Sequence, residues 1–177
     1  MRFVMAFLLA TAAVLGDACA ASDATGMAAA ANGFYAVYAT FHPSDGIPSP
    51  ADRAKYHPFL SPALEALLTD AQVAEARFAK ANKGAPPLVE GDLFTSLFEG
   101  ASSIAVGDCS GDAERGRCTA RLEHVDTSAK PVAWNDTVLL VNTPSGWRVD
   151  DIAYGGKWAF GNKGRLSELL KQAISFQ

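Results

Sequence analysis

The stretch WNDTVLLVNTPSGWRVDDIAY, residues 134–154, decides the fold. Trp134 to Asn142 reads as a strand, Thr143-Pro144-Ser145-Gly146 as a tight turn, and Trp147 to Tyr154 as the returning strand. Alternation sets Trp134, Asp136, Val138 and Leu140 on one face, and Asn135, Thr137, Leu139 and Val141 on the other. A hairpin of this kind belongs to an antiparallel sheet with one face buried.

Working upstream, Ile104 to Val106 begins another strand and Thr119 to His124 forms its return arm. Between them, Cys109 and Cys118 bracket the polar stretch Ser-Gly-Asp-Ala-Glu-Arg-Gly-Arg, which reads as a hairpin tip with a disulfide across its base. A redox pair usually has C-x-x-C spacing and a zinc site needs further ligands; neither pattern is present.

Helices precede the strands. Met27, Ala31, Phe34, Tyr38 and Phe41 recur at steps of three and four, and His42 to Pro48 carries turn chemistry. Ser49-Pro50 and Ser61-Pro62 each read as an N-cap with proline in the first turn. The second introduces a helix with Leu64, Leu67, Leu68, Ala71 and Phe78 on its apolar side, stopped by Lys83-Gly84-Ala85-Pro86-Pro87. In LVEGDLFTSLFEG, Leu93, Phe94, Leu97 and Phe98 have helical spacing, but Gly91 and Gly100 confine any helix to about two turns. A closing helix starts near Leu166. Helices followed by strands predict an α+β fold: N-terminal helices packed on a curved antiparallel sheet, with a C-terminal helix.

The first twenty residues, MRFVMAFLLATAAVLGDACA, read as a signal peptide. Arg2 supplies the positive end, Phe3 to Leu15 an apolar core shorter than the roughly 20 residues of a membrane span, and Ala18-Cys19-Ala20 the cleavage pattern. The expectation is cleavage after Ala20, one α+β domain over residues 21–177, and a periplasmic or secreted address. The alternative is a lipoprotein anchored through Cys19; against it, Gly16 stands where the lipidation motif places Leu, and Asp17 intrudes. Cleavage leaves Cys109 and Cys118 as the chain's two cysteines, in a compartment where they can pair. A formal net charge of −4 gives no electrostatic reason to expect nucleic-acid binding, and membrane contact is expected only through a lipidated Cys19.

The segments PPLVEGDLFTSLFEG (86–100), AWNDTVLLV (133–141) and WRVDDIAYGGKWAFGNKGRLSELL (147–170) resemble a bacterial envelope family known as domain of unknown function 3828. The order of elements resembles the nuclear-transport-factor-2-like cone fold. That resemblance implies helices packed into the concave face of a bent sheet, but no reaction. Relatives of the cone include isomerases, dehydratases and many non-catalytic binding modules, so fold cannot choose among them.

The residues offer a candidate concavity lined by Arg121, Trp134, Asp136, Asp150, Asp151, Tyr154 and Trp158. On one reading Asp136, among apolar neighbours, is a desolvated general base assisted by Tyr154 or Trp158 as hydrogen-bond donor, with Asp151 a further catalytic candidate. On the other, its carboxylate accepts structural hydrogen bonds. Asp150 and Asp151 should point to opposite faces unless a bulge intervenes, which argues against a paired-carboxylate site. Glu90, Asp92 and Glu99 lack calcium-loop spacing, and His42, His57 and His124 lack ligand spacing, so no metal and no cofactor is expected. No G-x-S-x-G elbow occurs. In Tyr154 to Gly164, Trp158 and Phe160 alternate with Lys157 and Ala159 as in a short strand burying one face; the competing reading is a loop that meets a ligand or partner. The sequence thus favours a non-enzymatic binding or accessory module for a small apolar ligand or an envelope protein, with a small cone-fold enzyme as alternative.

Overall fold

The computed structural model describes residues 15–40, 46–127 and 129–176, residues 15–22 as backbone alone. Most of the expected leader, the Cys19 side chain, and Phe41 to Asp45 lie outside the described residues. Helix α1 (Leu15–Thr40) is followed by α2 (Pro50–Tyr56), a 3-10 turn (His57–Phe59) and α3 (Pro62–Ala81). Strands β1 (Ser103–Gly111), β2 (Arg115–His124), β3 (Val132–Thr143) and β4 (Gly146–Ala153) come next, and α4 (Leu166–Ser175) closes the chain. The strands form one curved antiparallel sheet in the order β1-β2-β3-β4. The α+β architecture is the one expected.

Both serine caps form. Ser49 Oγ accepts from Asp52 N at 3.3 Å and Ser61 Oγ from Leu64 N at 3.0 Å, satisfying N–H groups that the first helical turn leaves open. Helix α1 lays Met27, Ala31, Phe34, Tyr35 and Tyr38 against the inner face of the sheet, where Cys118, Ala120, Leu122, Val138, Leu140 and Ile152 meet them in one buried cluster. Glycine makes the approach close: a Cβ on Gly33 would overlap the Phe59 ring, and one on Gly26 would sit 2.7 Å from Trp147 Cδ1.

Cys109 and Cys118 are direct cross-strand partners and are disulfide-bonded. With nine residues of sequence separation, the bond removes loop entropy worth about 2–3 kcal/mol from the unfolded chain. Reduction should therefore lower the urea midpoint correspondingly; a midpoint indifferent to reductant would deny the bond a stabilising role.

Sheet register shifts twice, between Val106 and Cys109 in β1 and opposite Leu139/Leu140 in β4. The second shift leaves Asp150 unpaired between Val149 and Asp151. A bulge thus breaks the simple alternation expected for the two aspartates.

Candidate functional site

The connection over residues 88–102 is neither helix nor strand, although Leu93, Phe94 and Leu97 are buried. Its carbonyls are taken by distant donors before a helical ladder can use them. Asn162 Nδ2 donates to Asp92 O at 2.6 Å and Thr95 O at 2.8 Å, Asn162 N to Ser96 O at 2.8 Å, and the Tyr154 hydroxyl to Leu93 O at 2.7 Å. Gly91 and Gly100, with φ of 72° and 79°, make the reversals that bring Asp92 N to Phe98 O.

Two buried carboxylates hold this connection. Asp136 accepts from Ser96 N (2.8 Å), Gly155 N (2.8 Å), Trp134 Nε1 (3.1 Å) and, in a short bond, the Ser96 hydroxyl. Asp92 accepts from Phe94 N (2.6 Å), the Thr95 hydroxyl (3.0 Å) and, also in a short bond, the Tyr38 hydroxyl. Tyr38 in turn accepts from Ala101 N at 3.0 Å, tying α1 to the start of β1. Burial pushes the Asp92 carboxyl up to about 6, against the opposing pull of the bonds from Tyr38, Phe94 and Thr95. All four tyrosines of the chain feel this charge: Tyr35, Tyr38, Tyr56 and Tyr154 are raised first by burial and further by Asp92. By spacing alone, Asp92 is only one of three carboxylates, with Glu90 and Glu99, that lack a metal-loop pattern. The signal for its role was local: Gly-Asp-Leu-Phe-Thr has the form of an Asx turn, in which Asp bonds its own backbone two residues on.

Of the residues singled out from sequence, Trp134, Asp136, Tyr154 and Trp158 come together around residues 93–96. The Trp134 and Trp158 rings meet edge to face with centroids 5.0 Å apart. Asp151 serves elsewhere: it accepts from Ser167 N (2.9 Å), the Ser167 hydroxyl (2.7 Å) and Ile152 N (2.9 Å), fastening the start of α4. Asp150 accepts from the Ser61 hydroxyl at 2.6 Å, at the start of α3. Arg121 does not line the concavity. Its side chain is 62% exposed on the face turned away from α1, 3.8 Å from Asp108, because Ala120 and Leu122 take the inward positions of β2. Among the described residues, no group of three or more His, Cys, Asp or Glu side chains is placed to hold a metal ion.

The segment after Tyr154 corrects a second expectation. Residues 155–164 form no strand, and Phe160 is 91% exposed instead of buried. It faces a groove of about 550 Å³ lined also by Leu97, Phe98, Trp158, Glu90 and Glu99. Phe98 is itself 42% exposed. The groove's two walls, residues 90–99 and 158–161, are fixed from beneath. Ser96 bridges Asp136 and Gly156 N (2.9 Å), and Asn162 grips the opposite loop. Gly155 is required there, since a Cβ would overlap Asn135 O.

No protein-family model, curated protein or solved structure matches the chain.

Proposed function

We propose that this chain is a non-enzymatic binding module, exported to the periplasm or cell exterior, whose working surface is the Phe98–Phe160 groove. The observation that carries the reading is Phe160, fully presented to solvent above a groove whose walls are hydrogen-bonded in place. An aromatic side chain held out on a pre-organised loop is the usual form of a binding anchor. The exposed Glu90 and Glu99 on the same groove select the occupant: a partner-protein segment presenting an apolar side chain beside a basic one.

The acid–base alternative is weakened by how its residues are engaged. Both oxygens of Asp136 and of Asp151 accept bonds from the protein itself, and the Tyr154 hydroxyl is committed to a backbone carbonyl. A peptide containing Lys-Phe-Lys should perturb the NMR signals of Phe98, Trp158 and Phe160, and a Glu-Phe-Glu counterpart should bind far more weakly. The double variant F98A/F160A should lose at least tenfold in affinity with little change in melting temperature, because neither ring is fully buried. Equal binding by that variant, or no preference for the basic peptide, would refute the reading.

A further inference from the structure

We infer that the outer face of the sheet is a second docking surface, built for a carboxylate-rich segment of a partner protein. This inference is independent of the groove. In β2 the residues Arg115, Arg117, Thr119, Arg121 and Glu123 alternate with Gly116, Cys118, Ala120 and Leu122. The second set packs toward α1: Met27 Sδ lies over Gly116, and Cys118, Ala120 and Leu122 are in the core. The first set therefore points away from the helix. Register extends this face across the sheet, since Arg115 pairs with Val141 and Val141 with Arg148, while Arg117 pairs with Leu139. Side chains of paired residues share a face.

The result is a cationic field on an acidic chain. Arg115 and Arg117 are two positions apart on one strand, about 7 Å, and Arg148 lies two strands over from Arg115, about 10 Å. Half-buried Leu139 and Val141 form the floor between them. Two acids of this face lie at the other end, where Asp108 sits 3.8 Å from Arg121 and Glu123 follows along β2. Nearer the arginines, Asp151 is paired with Leu139 but buried and bonded to Ser167, and Asp112 of the hairpin turn lies in the field of Arg115. Arg115, Arg117 and Arg148 make no ion pair among the described residues; Arg148 donates to Trp147 O at 2.8 Å.

Three features select a protein carboxylate as the occupant. The basic groups at this end are all arginines, whose planar forks bind carboxylates in bidentate fashion. The exposed large apolar side chains of the described chain, Val73, Phe98, Val125, Phe160 and Phe176, all lie outside the strands of this face. The face thus lacks the protruding groups that insert into a lipid interface, and the aromatic platforms on which single-stranded nucleic acid stacks. What it presents is a broad, slightly apolar floor with fixed positive charge, complementary to an acidic segment laid across the strands.

The test uses the whole chain and a ten-residue oligoglutamate peptide at low salt. The peptide should perturb backbone amides of Arg115 to Thr119 and Thr137 to Val141, and R117E/R148E should weaken binding at least tenfold. R117K/R148K, which keeps charge but loses the fork, should fall between. Urea unfolding of each variant shows that the fold persists. A peptide that leaves these amides unmoved, or binds R117E/R148E equally, overturns the inference. So does binding of phosphatidylglycerol vesicles through this face in the absence of any peptide binding.

Discussion

Replacing Asp136 with alanine should destabilise the protein by roughly 3–5 kcal/mol, a large part of the 5–15 kcal/mol that a domain of this kind possesses. The substitution strands Ser96 N, the Ser96 hydroxyl, Gly155 N and Trp134 Nε1, which now share one carboxylate. The two donors on Ser96 are buried with the carboxylate, so water cannot replace what they lose. The remaining two are partly accessible, which keeps the cost below the sum of four desolvated donors. Asp136→Asn separates this reading from a simple cavity. Its amide can donate to the Ser96 hydroxyl while its oxygen still accepts from Ser96 N and Trp134, leaving Gly155 N unmatched. A loss of about 1–2 kcal/mol is expected. Urea unfolding of the three proteins gives the order, and amide spectra should show residues 155–161 loosening in Asp136→Ala. If alanine cost less than about 0.5 kcal/mol, the carboxylate would not hold the groove together, and a chemical role for it would regain force.

The parts of the fold legible in the sequence are those set by local rules. Ser49-Pro50 and Ser61-Pro62 cap helices because a serine oxygen and a proline ring suit the first turn wherever it occurs. Asp136, Val138 and Leu140 are buried together because strand geometry forces alternate residues to one face. The cysteines pair because a hairpin brings them opposite each other. Where local pattern and distant bonding compete, the pattern misleads. Leu93, Phe94, Leu97 and Phe98 have helical spacing, yet Asn162, some 65–70 positions on, captures the carbonyls that a helix would need. Trp158 and Phe160 have strand spacing, but no strand offers residues 155–164 a ladder, so Trp158 is half-buried against Trp134 while Phe160 is left exposed. Arg121 is a different case. Its exposure was written in the alternation of Arg-Gly-Arg-Cys-Thr-Ala-Arg-Leu, in which the arginines share a face opposite Cys118 and Leu122. The candidate site was therefore half visible: Trp134, Asp136, Tyr154 and Trp158 converge, while Arg121 and Asp151 belong to other tasks.

Stability should fall as pH rises from about 4 to about 6, and Asp92 should be the cause. Its carboxyl titrates near its ordinary value of 3.8 in the unfolded chain and at about 6 in the folded one. Between those values the folded state binds the proton that the unfolded state has lost, so raising pH through this window favours unfolding. The full contribution is on the order of 3 kcal/mol, present below pH 4 and gone above pH 6. Half-buried Asp52 and exposed Asp112 are lowered by their hydrogen bonds and act in the opposite direction at lower pH, so the raw stability curve mixes these effects. Asp92→Asn isolates the buried group. Its amide resembles the protonated acid and cannot titrate, so wild-type stability minus variant stability should decline by about 3 kcal/mol between pH 4 and 7. A difference that stays flat would mean that Asp92 does not change its proton affinity on folding. Tyr38→Phe sharpens the argument, because the Tyr38 hydroxyl favours the charged carboxylate by donating to it. Without that donor the upper end of the window should move to higher pH, whereas a purely steric role for Tyr38 would leave it in place. The residues involved join α1 to the connection that carries Phe98, so the charge buried on one carboxyl sets the stability of the foundation on which the groove stands.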